Sequence, residues 1–121
     1  MDVLQTALAV GVGPDADGEG CLQDIHWSHG SFGYFPTYSL GSVLAAQLYA
    51  AAEADIDGLE SKVRAGEFGP LHEWLTDNVH GHGQRYTTDE LVAEATGEPF
   101  IADYFLEYAE LKFGALYDLD R

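Results

Sequence analysis

Basic residues are scarce in this chain. Lys and Arg together number 5 against 21 Asp and Glu, which leaves a formal net charge of −16. An excess of that sign disfavours nucleic acid and anionic membrane surfaces as partners, because like charge repels over the whole surface. Lysine occurs only at Lys62 and Lys112, and the Gly30-x-x-Gly33 segment runs into Tyr34 and Phe35. A phosphate-cradling loop with its lysine is therefore not predicted. Cys21 is the single cysteine, so no disulfide can form within these residues. With Leu22 beside it, Cys21 reads as a small buried side chain. Long hydrophobic runs are missing too. Residues 40–52 are interrupted by Gly41, Ser42 and Gln47, short of the roughly 20 apolar residues of a membrane span. The segment after Met1 has no basic n-region, so no signal peptide is expected and a soluble, cytoplasmic protein is.

What is present is enough for one small domain. The 121 residues are 46% hydrophobic, which supports a folded core and predicts a single helical domain over residues 1–121. The acids are spread among apolar residues instead of running in blocks. Such a surface suits a high-salt cytoplasm, where salt confines self-repulsion to a few ångströms, and points to a halophilic, haloarchaeal source.

The apolar spacing is helical over most of the chain, residues 21–27 read as one or two helical turns or a strand, and the fold class is all-α. Residues 2–10 carry a short helical pattern, followed by a Gly- and Asp-rich loop. Gly30 and Gly33 mark a turn. Pro36 suits the first turn of a helix, and Tyr38, Leu40, Val43, Leu44, Leu48 and Ala51 repeat at helical spacing after it. Its alanines predict burial on most sides. Residues 57–65 read as a short helix ended by Gly66, and residues 70–79 as another with Leu71, Trp74, Leu75 and Val79 on one face. Thr87 and Glu90 form a capping box that opens a helix ended by Gly97. A last helix is predicted from Pro99, with Ile101, Tyr104, Phe105, Tyr108, Leu111 and Phe113 as a core-facing stripe.

The candidate chemistry lies in residues 20–41, which pack aromatics, glycines, His26, His29 and Asp24 into one stretch. The other histidines are His72, His80 and His82. His72-Glu73 lacks the second histidine of a His-Glu-x-x-His zinc motif, and His80-Gly-His82 offers two ligands without a third. Ser31 sits in Gly-Ser-Phe-Gly, not in a Gly-x-Ser-x-Gly elbow. Gln23, Asp24, His26, Tyr34 and Tyr38 remain. An Asp two residues before a His can orient its imidazole. A tyrosine hydroxyl can donate to an oxyanion or a carboxylate. From these residues alone, a cleft wall and a polar network that fixes a helix junction are both open.

Gly20, Gln23, Asp24, His26 and Trp27 match in full the pattern Gly-x-x-Gln-Asp-x-His-Trp. Residues 28–41, residues 66–75 and the end of the chain are also family-like, and the match runs from about residue 8 to 121. On these residues the sequence resembles the carboxypeptidase Taq family of zinc metallocarboxypeptidases. The resemblance implies the C-terminal piece of a larger, mostly helical enzyme that removes C-terminal residues from peptides. It implies a zinc held upstream by a His-Glu-x-x-His motif and a further Glu, with none bound by this chain alone. His26 is then expected to face the substrate, Asp24 to orient it, and Tyr34 or Tyr38 to donate to a substrate oxygen. Gln23 and Trp27 are expected to line the same wall. The implied partners are peptide substrate and an upstream half or a full-length paralogue. The alternative is a stand-alone helical binding or regulatory module, which self-associates to cover its apolar surface.

Overall fold

Pro36 sits where a helix can begin without losing a hydrogen bond, and the computed structural model starts a 20-residue helix there, α1 (Pro36–Asp55). The structure describes residues 17–19, 23–26 and 28–118. The helix expected over residues 2–10, together with Cys21 and Trp27, lies outside them. The described residues are helical or irregular, with no strand among them, as the fold class all-α requires. Within the expected single span, they fall into two compact units, Met1–Thr37 and Tyr38–Arg121.

In the second unit, α1 is followed by α2 (Leu59–Arg64), α3 (Gly69–Asn78), α4 (Thr88–Thr96) and α5 (Asp103–Tyr117). Local chemistry sets most of these limits. Gly58 enters α2 with a φ of 67°. At its end the Gly66 N–H donates to the Val63 carbonyl and the Glu67 N–H to the Lys62 carbonyl, at 3.0 and 2.8 Å. That pair closes the helix as a Schellman motif around Gly66, whose φ of 80° costs a glycine little. The capping box forms as expected: the Glu90 N–H donates to Thr87 Oγ1, and the Thr87 N–H donates to the Glu90 carboxylate at 2.9 Å. The Thr87 N–H, and then its hydroxyl, hold the Glu90 carboxyl below the ordinary glutamate range. Between α3 and α4, residues His80–His82 make one 3₁₀ turn. A Cβ on Gly81 would lie 2.9 Å from the Thr76 carbonyl oxygen, so this turn is closed to larger residues.

The core gathers where α1, α2 and α3 meet. Ala52, Leu59 and Trp74 are buried, with Leu48, Ile56, Val63, Leu71 and Leu75 packed around them. Burying Leu59 contributes about 2 kcal/mol. Trp74 keeps its indole N–H satisfied by donating to Asp55 Oδ2 at 2.8 Å, which ties α3 to the end of α1.

A second tie is polar. Gln47, 1% exposed, donates from Nε2 to the Pro99 carbonyl at 2.9 Å and accepts the Ile101 N–H on Oε1 at 3.1 Å. Residues 99–101 lie outside the helix, and α5 begins at Asp103 and not at Pro99 as expected. Tyr104 O–H then donates to Glu98 at 2.8 Å, and that bond raises the phenol above its ordinary range.

Two expectations of burial are corrected. In α1 only Gln47 and Ala52 are buried, while Tyr38 and Leu40 are more than half exposed. In α5 no residue is buried, and Tyr108, Leu111 and Phe113 of the expected core stripe are exposed. The periodicity marks an apolar face correctly. Among the described residues no further layer covers it.

Candidate functional site

The His26 segment belongs to the first unit, and its shape comes from short backbone bonds. The His29 N–H donates to the Ile25 carbonyl at 3.3 Å and the Ser31 N–H to the His26 carbonyl at 2.8 Å. Gly30 and Gly33 take positive φ, 86° and 71°. These two glycines double the chain back, so the aromatics at 34 and 35 return to the histidine eight and nine residues earlier.

The turn builds a ring cluster around His26. The Tyr34 ring stacks on it at 5.7 Å with 28° between planes. Phe35 meets it edge-on at 5.3 Å, and His29 lies tilted at 5.7 Å. His29 Nδ1 is also 3.2 Å from the Ser31 hydroxyl. His26 is the sheltered member, its side chain 17% exposed.

Asp24 fixes the imidazole. Its Oδ1 lies 2.5 Å from His26 Nδ1 and accepts the His26 backbone N–H at 3.3 Å. A carboxylate at Nδ1 selects the tautomer with the proton on that atom. Chemistry directed at a ligand then belongs to Nε2. As an acceptor Nε2 takes a proton; once protonated it donates to a developing oxyanion.

The remaining expected residues are placed as follows. Gln23 is exposed and donates from Nε2 to the Gly18 carbonyl. Tyr34 belongs to the cluster. Tyr38 belongs to the second unit, in the first turn of α1, where its carbonyl accepts the Ser42 hydroxyl at 3.1 Å. Trp27 lies outside the described residues. Phe35, which the sequence does not single out, packs on His26, and the signal for that contact is the glycine pair that reverses the chain.

The carboxypeptidase Taq (M32) metallopeptidase family model matches residues 5–113. The chain belongs to this family. It is 45% identical over 104 residues to Thermostable carboxypeptidase 1 of Pyrococcus furiosus, covering 86% of this chain and 21% of that protein. With Carboxypeptidase 1 of Bacillus subtilis it shares 42% over 108 residues, 89% of this chain and 22% of the relative. The fold is similar to the crystal structure of the M32 carboxypeptidase from Deinococcus radiodurans, with a TM-score of 0.84 and 42% identity over 96% of this chain and 24% of that one. Trypanosoma cruzi Metallocarboxypeptidase 1 matches with a TM-score of 0.75 and 42% identity, over 80% of this chain and 20% of that one. The chain thus spans about a fifth of the length of the relatives it matches.

Among the described residues no group of three or more His, Cys, Asp or Glu could hold a metal ion. Without such a group the described residues supply too few donors to hold the zinc that the family implies. Nor is any described helix long and apolar enough to cross a membrane.

Proposed function

We propose that this chain is the C-terminal, cleft-wall region of a zinc metallocarboxypeptidase that releases C-terminal residues from peptides. The observation that carries the reading is the Asp24–His26 pair at 2.5 Å, set inside a stretch that matches the family motif. In this reading Asp24 holds the Nδ1 proton, and His26 Nε2 faces the scissile carbonyl oxygen as it becomes an oxyanion. Tyr34 or Tyr38 donates its hydroxyl hydrogen to that oxygen or to the peptide's terminal carboxylate. Gln23 steadies the approach to the motif through its bond to Gly18, and Trp27 lines the same wall. The zinc that the family implies would be held by residues other than the described ones and would supply Lewis-acid chemistry at the scissile bond, so the chain alone is expected to release nothing.

The test is a chimera. The matching 108 residues of the Bacillus subtilis relative are replaced by this chain, and release of a C-terminal residue from a short peptide is followed. His26→Ala should lower kcat/KM by roughly a hundredfold or more, the scale of losing one oxyanion donor. Unchanged release in His26→Ala, or release by the lone chain with added zinc, would overturn the reading.

The exposed apolar faces of α1 and α5 favour a second reading, a helical module that self-associates or binds a full-length paralogue without turnover. A monomer at high concentration that binds no paralogue would sink it. The acidic surface supports a high-salt setting, in which the folded state should gain stability as salt is raised.

A further inference from the structure

In the second unit an open groove of about 770 Å³ lies between α1 and α5. Its α1 side is lined by Ala45, Ala46 and Ala50 together with Ser42, Tyr49 and Glu53. Its α5 side carries Tyr108 and Leu111, which are 49% and 59% exposed. The α1 residues that line it run from Ser42 to Glu53, about 17 Å of helix, or three turns. The three alanines of the α1 wall leave room for a third helix to approach to the ordinary packing distance of about 8–10 Å. The groove is therefore shaped for a helix.

Charge narrows the occupant. Two exposed acids, Glu53 and Glu107, line the same groove, while on its α5 side the Lys112 ammonium donates to the Tyr108 hydroxyl at 2.7 Å. A second copy would bring the same acids to the contact along with another −16 of formal charge. An occupant with Lys or Arg beside its apolar stripe would meet these acids favourably. The relatives supply a source: they keep this fold in chains about four times as long, since 80–96% of this chain covers 20–24% of those solved structures.

We propose that the α1–α5 groove seats an amphipathic helix with basic flanks, supplied by the part of the enzyme that this chain does not span. The proposal rests on the reading of the chain as one region of a larger carboxypeptidase, and it names the surface through which the two parts join. Burial of Tyr108 and Leu111 against that helix completes the apolar face that α5 leaves open.

The chain is co-expressed with the Bacillus subtilis Carboxypeptidase 1 polypeptide from which the matching 108 residues have been removed. A one-to-one complex is expected on a sizing column, with slowed hydrogen exchange in α1 and α5. Leu111→Glu should weaken it about tenfold or more by burying an unpaired charge. Leu111 is exposed in the lone chain, so this variant keeps the chain's helicity and melting midpoint. Ala46→Glu, which closes the groove from the other wall, should act alike, and Glu73→Gln on α3 should not weaken the complex. The absence of a complex, or one indifferent to both groove variants, overturns the proposal. A lone-chain dimer abolished by Leu111→Glu overturns it as well, because the occupant is then a second copy. Peptide release is measured separately: a complex that docks through the groove but releases nothing defeats the catalytic reading and leaves the docking intact.

Discussion

The polar bonds that shape the His26 cluster and those of Gln47 differ in reach. Around His26 they join residues two to five positions apart: Asp24 with His26, His29 with Ser31, and His26 with Ser31. Gln47 joins residues 49 to 54 positions away: Thr96, Pro99 and Ile101. Among the described residues, the first arrangement closes a small loop. The second can form only after α1 and the α4–α5 connection have met, so it reports the tertiary fold. A site built the first way can be carried as a local motif. A clamp built the second way makes distant helices one cooperative unit.

That contrast can be broken at four places. The largest effect is expected in the core that lets the distant contacts form. Leu59→Ala removes a side chain that is 1% exposed and should cost about 3 kcal/mol in urea unfolding. Next comes the clamp itself. Gln47→Ala leaves the Pro99 carbonyl and the Ile101 N–H without this partner, and should cost about 2 kcal/mol. If the clamp also sets the start of α5, the amides near Ile101 should lose hydrogen-exchange protection in that variant, whereas those in α2 should not.

A local cap should matter less. Thr87→Ala removes the hydroxyl that caps α4 and should cost about 1 kcal/mol. The same residue gives a pH signature. The Glu90 carboxyl is held below its ordinary range, first by the Thr87 N–H and then by its hydroxyl. A depressed carboxyl contributes stability above the unfolded value of about 4.3 and loses it as pH falls through the folded value. The acid-dependent part of the stability should shrink in Thr87→Ala but not vanish, since the backbone N–H remains; acid titrations of unfolding check this. The smallest stability effect is expected at the site. Asp24→Asn should shift the melting midpoint little, within about 0.5 kcal/mol. It should nonetheless change the tautomer of His26 in nitrogen NMR spectra, because the carboxylate that selects the Nδ1 proton is gone. A large loss of stability in Asp24→Asn would show that the cluster is not local.

The same division governs what can be read along the chain. Pro36, Gly66, Thr87 with Glu90, and Gly97 act on neighbours within a few residues, and each marks a helix limit in the structure as it does in the sequence. The start of α5 lies at Asp103 and not at Pro99, and the Gln47 side chain that meets residues 99 and 101 comes from another helix, where no local signal announces it. The apolar stripe of α5 was read correctly as a face and wrongly as core, since periodicity locates a face without saying what lies against it. At the site, Asp24 and His26 are legible from their spacing, while the return of Phe35 needs the geometry of two positive-φ glycines.

Gln47 also sets a limit on the chain's acidity. With acids outnumbering bases 21 to 5, an amide-to-acid change is the most economical way to add surface charge, and at exposed positions it is tolerated. At position 47 the two halves of the amide face opposite demands: the nitrogen must give a proton to the Pro99 carbonyl and the oxygen must take one from Ile101. Glutamate has the same outline but would set two oxygens against each other at Pro99 in a buried place. Acidification of this protein therefore stops at a single atom, where an oxygen cannot replace a nitrogen.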